Sequence, residues 1–294
     1  MRARFLAPVV AAIVLGQATQ PETLPRYAAA TYVEPGHDFT VFPLTGEPVV
    51  TSIPQMAWMT TASDGKTIYG VLRPQKGIQK VDLISGRISP LPGTEAFSVW
   101  AFDVSPKGDA VALFYAVDRS LPQKCQLVVL SLPSGQARAV GERTLCYLGS
   151  QSVSVSADRK RLLTEEGTGT RLVDLETGST KHIDAYRHAA YSPDGNWIAA
   201  FTGKKLELLD AASFRHIRSL GNAFDERPTW SPDSRYLLVA HPACDAYFFS
   251  LSALDIYTRK RTEIKSSHCR AMLLGKLWVS HEAYQALAHA NARR

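Results

Sequence analysis

Between residues 189 and 201 the chain reads AAYSPDGNWIAAF, two apolar runs on either side of a polar four-residue knot, Ser192-Pro193-Asp194-Gly195. The knot recurs as Ser63-Asp64-Gly65-Lys66, Ser105-Pro106-Lys107-Gly108, Ser156-Ala157-Asp158-Arg159 and Ser231-Pro232-Asp233-Ser234, its copies beginning 42, 51, 36 and 39 residues apart. After each comes a short β-prone run (TIYGVL, AVALFYAV, RLLTEE, WIAAFT, YLLVAH), then a second apolar run and usually a turn such as ISGR, PSGQ or ETGS. This order predicts about four short strands per unit, separated by Gly, Ser, Asp and Pro turns. Within the knot, Ser and Asp side chains can bond nearby backbone amides, Pro presets φ and Gly accepts a positive φ. Each knot therefore predicts a tight hairpin between the first and second strands of its unit.

A period near 40 residues with four strands per unit is the signature of a β-propeller blade. Unrelated hairpins in a β-sandwich are the alternative, and five turns in register, each followed by the same strand order, argue against it. The two ends complete the count. KLWVSHEAYQALAHA, Lys276 to Ala290, is a worn copy of RPTWSPDSRYLLVAH and predicts two strands; DFTVFPLTGEPVV, Asp38 to Val50, predicts the third and fourth strands of a blade with no first half before it. The expected fold is all-β, a six-bladed β-propeller of four-stranded antiparallel blades over residues 31–290, closed by a composite blade from both termini. Such closure hides the sheet edges. Residues 19–30 read as an N-terminal linker and 291–294 as a tail.

SPDG followed by a β-run is similar to the TolB-type propeller repeat, related to WD-type repeats. The resemblance covers most of residues 31 to 290, is strongest over 187–240, and concerns the propeller part only: about a dozen residues between the export signal and Thr31 leave no room for the α/β domain that precedes the propeller in that family. It implies a fold and, more loosely, an envelope scaffold that binds a protein or peptide, because such propellers serve many partners.

The first residues, MRARFLAPVVAAIVLGQATQ, pair two arginines with an apolar run and the small-x-small pattern Gly16-Gln17-Ala18, which reads as an export signal cleaved after Ala18 (residues 1–18). A membrane anchor is the alternative, but the apolar run is shorter than the roughly 20 residues a bilayer requires. The expected location is periplasmic or secreted, with no stable membrane span after cleavage. Net charge is +6, and +4 without Arg2 and Arg4. That is too mild and scattered for a nucleic-acid partner, which calls for a clustered basic face.

Four cysteines in an exported chain suggest two disulfides, with three possible pairings. The repeat alignment selects one: Cys125 opens the third strand of its blade and Cys146 follows the fourth, and Cys244 and Cys269 occupy the same places three blades later. The start of one strand lies beside the end of its antiparallel partner, so Cys125 should pair with Cys146 and Cys244 with Cys269. A zinc site built from His241, Cys244, His268 and Cys269 is the alternative, and the absence of any His near the other pair argues against it. The two cysteine-bearing units are also the longest. Their extra residues fall in connections that emerge on the face opposite the knots, where recognition is expected.

Registering the first strands places Trp58, Trp100, Arg187, His188, Glu226, Arg227 and Lys276 around that mouth of the channel. An aromatic arc on two neighbouring blades would face a basic arc on three, Arg187, Arg227 and Lys276, an arrangement suited to an anionic or carboxylate-bearing group. Glu226 and Gln151 are the only oxygen ligands offered there, too few for calcium. There is no H-E-x-x-H, no phosphate loop and no carboxylate pair that can be singled out among 27 acids. The expectation is a binding protein with no catalytic residues, cofactor or metal. An envelope hydrolase or lyase acting on a small molecule or saccharide in the channel is the alternative.

Overall fold

The computed structural model describes residues 27–32, 39–43, 48–54, 56–72, 76–117, 124–132, 134–146, 152–166, 169–223, 227–242, 249–264 and 277–293. Three strands near the N-terminus, β1 (Tyr27–Tyr32), β2 (Phe39–Phe42) and β3 (Val49–Val50), are followed by five sheets of four consecutive antiparallel strands. Blade 1 holds β4 (Ala57–Thr61), β5 (Thr67–Val71), β6 (Gln79–Asp82) and β7 (Ile88–Pro90). Blade 2 holds β8 (Val99–Val104), β9 (Ala110–Ala116), β10 (Lys124–Ser131) and β11 (Gln136–Leu145). Blade 3 holds β12 (Val153–Val155), β13 (Arg161–Glu166), β14 (Gly169–Asp174) and β15 (Thr180–Ile183). Blade 4 holds β16 (Arg187–Tyr191), β17 (Trp197–Thr202), β18 (Lys205–Asp210) and β19 (His216–Asn222). Blade 5 holds β20 (Thr229–Trp230), β21 (Tyr236–Pro242), β22 (Phe249–Asp255) and β23 (Arg261–Ile264). A last strand, β24 (Leu277–Ser280), pairs antiparallel with β1, so that β24-β1-β2-β3 forms a further four-stranded sheet from the two ends of the chain. The molecule is a β-propeller of four-stranded antiparallel blades.

The knots form as their chemistry dictates. In blade 4 Ser192 Oγ donates to Asp194 Oδ1 at 2.5 Å and accepts from Trp197 N at 2.9 Å, while Asp194 Oδ1 accepts from Asn196 N. Ser231 and Asp233 repeat this in blade 5, and Ser156 and Asp158 in blade 3. The left-handed fourth position is Gly108 or Gly195 in two blades but Arg159 and Ser234 in two others, so the hydrogen-bonded knot imposes a positive φ even on residues with a side chain. The outer turn has its own device: Asp82, Asp174, Asp210 and Asp255 each close the third strand and accept backbone N–H groups two or three residues on.

The first strands stand side by side around the axis in the order β4, β8, β12, β16, β20, β24, and β24 returns to β4. Hydrogen bonds stitch each to the next: Thr60 Oγ1 to Asp103 Oδ1, Val155 N to Asp103 Oδ2, Tyr191 N to Ser154 Oγ, Trp230 Nε1 to the Ala190 carbonyl, and Trp278 Nε1 to the Thr229 carbonyl. Ser280 N closes the cycle on the Gly65 carbonyl at 2.7 Å. A Cβ at Gly65 would stand 2.8 Å from Ser280 N, so glycine is required there both for its positive φ and for this approach. Apolar clusters fill the wedges between neighbouring sheets, as with Leu91, Phe102 and Leu113 between blades 1 and 2.

The ends differ from the sequence expectation. The sheet takes one strand from the C-terminus and three from the N-terminus, not two and two, and β1 begins at Tyr27, within the stretch read as a linker. The expected second C-terminal strand is a helix, α1 (His281–Ala292). Ser280 occupies the knot-serine position, but its Oγ accepts from Ala283 N and caps the helix. The residues that follow, five of them Ala with one Glu, one Gln and one Leu and no Gly or Pro, favour a helix, and they settle the conformation. Lys66 reaches Glu282 at 2.6 Å and ties the helix to the first knot.

Candidate functional site at the channel mouth

Each first strand runs from the mouth toward its knot. At the mouth end the ladder is broken in three blades: the register shifts between Ala57 and Thr60, between Val99 and Ala101, and between Arg187 and Ala190. Such bulges re-aim side chains, and those they re-aim here are Trp58, Trp100 and His188. Trp58 takes φ 45° and His188 φ 49°, values that bulky residues adopt only when their surroundings impose them. The rings of Trp58 and Trp100 lie 6.3 Å apart, tilted by 32°. Both indoles are half-buried; Trp58 also packs on the core between blades 1 and 2, and Trp100 on the core between blades 2 and 3. They are wedges and surface at once.

The charged residues are arranged as acid-backed bases. Glu165, at the mouth end of β13, is buried, with Oε2 3.0 Å from His188 Nδ1 and Oε1 3.8 Å from Arg187 Nη2 on the adjacent blade. His188 is itself buried, whereas 40% of the Arg187 side chain is exposed. Asp103, on β8, is buried beneath Arg227, whose Nη2 is 3.5 Å from Asp103 Oδ2. Blade 2, which carries Asp103, and blade 5, which follows Arg227, stand opposite each other on the ring, three steps apart in either direction. The pair therefore spans the channel. Burial pushes the Asp103 carboxyl above its ordinary range, against the pull of Arg227, Val155 and Thr60.

The structure thus joins Trp58 to Trp100, sets Arg187 and His188 on one buried acid, and sets Arg227 on another. The basic arc anticipated from the sequence is already matched by acids in two of its three members. Glu226 and Lys276 lie outside the described residues, as do Cys244 and Cys269. Cys125 and Cys146 form a disulfide, their Cα atoms 5.1 Å apart, across the mouth end of β10 and β11. Among the described residues no three His, Cys, Asp or Glu are placed to hold a metal ion.

Glu165 and Asp103 are the residues the sequence reading missed. Glu165 had a signal. It stands nine residues after its knot serine, where the other blades carry Phe114, Phe201 and Ala240, and Val71 is the counterpart in blade 1, whose turn opens at Ala62, one residue before Ser63; all four are buried. One carboxylate in an otherwise apolar repeat position is the local inconsistency that marks a site. Asp103 stands two residues before its knot turn, where Thr60, Ser154 and Thr229 are also polar, and its distinction is charge alone.

No family model matches the chain, and no curated protein matches it. Among solved structures it is similar to TolB from Acinetobacter baumannii, with a TM-score of 0.63 and 17% identity over 86% of this chain; it spans 66% of that protein's chain. A chain of a nidogen/laminin complex gives a TM-score of 0.59 at 10% identity, covering 87% of this chain and 99% of that one. A structure assigned as TolB from Agrobacterium tumefaciens gives 0.53 at 14% identity, covering 87% and 90%. At these identities the likeness establishes the fold.

Proposed function

We propose that the chain is an exported, non-catalytic six-bladed propeller, closed by the sheet that joins its two ends, and that it binds a protein or peptide of the cell envelope on its disulfide-braced mouth. The observation that carries this reading is the mouth itself. Two half-buried indoles are presented by bulged strands, Trp58 with a positive φ, and the acids Asp103 and Glu165 each lie against a base. A rigid aromatic pair with a charged surround is the composition of a recognition surface. Acids so engaged are poorly placed to work as a hydrolytic pair. Export is supported by the Cys125–Cys146 disulfide and by the signal-like N-terminal segment. The likeness of fold to TolB structures supports an envelope role.

Photo-crosslinking in envelope extract tests the reading. A photoreactive residue at Met59, beside the indole pair, is expected to capture a partner that the same residue at Lys107, in a knot, does not. Adducts from the knot position alone would overturn it.

One feature supports the enzymatic reading, a hydrolase or lyase. Glu165 Oε2, buried and without a hydrogen bond among the described residues, lies 3.0 Å from His188 Nδ1, an acid beside an imidazole of the kind that proton transfer uses. On that reading, turnover of an ester or uronide panel would be abolished by His188→Ala and retained by Trp58→Ala.

A further inference from the structure

We infer that Arg227 is a carboxylate-binding latch, held across the channel by Asp103 in the free protein and surrendered to the carboxylate of an incoming ligand. The inference rests on the mouth being a binding surface and goes further, in naming the chemistry recognised there and the contact exchanged for it.

The two members of the pair are unequally held. The Asp103 carboxylate accepts from Thr60 Oγ1 at 3.1 Å and from Val155 N at 3.0 Å, and its side chain is 10% exposed. It stays anchored whether or not Arg227 is present. The Arg227 side chain is 32% exposed, and among the described residues Asp103 is its one polar partner, touched by a single Nη2 at 3.5 Å. A guanidinium has five N–H donors in a planar fork. One long contact leaves most of that fork unused, and a carboxylate is the group whose two oxygens match it. Anything entering from the mouth meets the guanidinium before the buried acid.

The neighbouring residues define the rest of the ligand. Trp58 lies two residues mouthward of Thr60 on β4, and Trp100 lies three residues mouthward of Asp103 on β8. The strands that hold the acid thus also carry the indole pair. The favoured ligand is a carboxylate on an apolar or aromatic body, such as the free C-terminus of a peptide ending in a hydrophobic residue. Because Asp103 competes with it for one cation, the ligand is bound against a standing repulsion. Engagement frees blades 2 and 5 from their contact across the axis.

N-acetyl-phenylalanine, as its free acid and as its neutral amide, is the probe. It is titrated at constant ionic strength into the 15N-labelled mature chain, with the Arg227 Nε–H resonance as readout, assigned by its loss in Arg227→Lys. The acid is expected to move that resonance saturably and the amide to leave it in place. Asp103→Asn should tighten the acid by roughly fivefold, the effect of removing one like charge several ångströms away in a partly hydrated channel. Arg227→Lys should weaken it at least as much, because the fork is lost. A resonance that ignores the acid, or that follows acid and amide alike, overturns the inference, and wild-type protein alone decides this. Weaker binding in a folded Asp103→Asn variant also overturns it. A silent Arg227 together with crosslinks at Met59 sinks the latch and leaves the partner-binding reading intact; a responsive Arg227 without such crosslinks does the reverse.

Discussion

The knot ends and the mouth ends of the same first strands follow opposite rules. At the knots, Ser and Asp pairs recur in three blades with nearly identical hydrogen bonds, each pair closed by bonds that span only a few residues of chain, and the serines of blades 4 and 5 are fully buried. At the mouth, three ladders are bulged, two bulky residues take a positive φ, and a carboxylate replaces the apolar residue that the other blades use. Repetition marks what every blade needs to fold. Departure from it is where a function would be written, since local consistency is given up where function imposes another demand.

Four substitutions or titrations bear on that contrast, taken from the largest expected effect to the smallest. Trp278→Ala removes the 1%-exposed indole that ties β24 to blade 5, and should cost about 3–5 kcal/mol in chemical denaturation. A loss under about 1 kcal/mol would mean that closure of the ring contributes little to its stability. Ser231→Ala leaves the buried Tyr236 N–H without its acceptor and should cost about 1–2 kcal/mol. Glu165→Gln keeps the shape of the side chain and an acceptor beside His188 and should change stability by about 1 kcal/mol or less. If Glu165→Gln proved far more damaging than Ser231→Ala, the division between a folding end and a functional end would fail.

The smallest effect is in the outer turns. Backbone and serine or threonine hydroxyl donors hold the carboxyls of Asp82, Asp174 and Asp210 below the ordinary value of 3.8. The native state then binds fewer protons than the unfolded chain, so this contribution is fully present above pH 4 and is lost as pH falls through the depressed values. Asp103 has the opposite sign, because its raised carboxyl binds protons preferentially in the native state and its ionisation removes stability as pH rises from 3.8 through the raised value. Denaturation midpoints of wild type and Asp210→Asn between pH 3 and 7 should differ slightly at neutral pH and converge in acid.

Much of this was legible in advance, for identifiable reasons. The knots were readable because their chemistry is local: Ser192 and Asp194 need only residues up to Trp197 to complete it. The Cys125–Cys146 pairing followed from strand order. The bulges at Trp58 and His188 were not legible, because they arise from packing between blades and leave no mark in residue type. The engagement of Arg187 and Arg227 by buried acids was hidden for a similar reason, since Glu165 precedes Arg187 by a whole outer hairpin and Asp103 comes from the far side of the ring. The helix α1 was within reach: Tyr284, Leu287 and Ala288 have helical spacing after a serine cap, and the analogy with the other knots concealed it.

The sheet assembled from β24 and β1–β3 has a consequence for biogenesis. Its partners are separated by nearly the whole length of the chain, so its pairing is the most remote contact in sequence and costs the most loop entropy to form. The five other sheets can zip up in turn as the polypeptide is made, yet β1 waits with an open edge until Leu277–Ser280 arrive. A chain halted before Leu277 is left with that edge bare, available to chaperones and proteases, so the arrival of β24 is what licenses the ring.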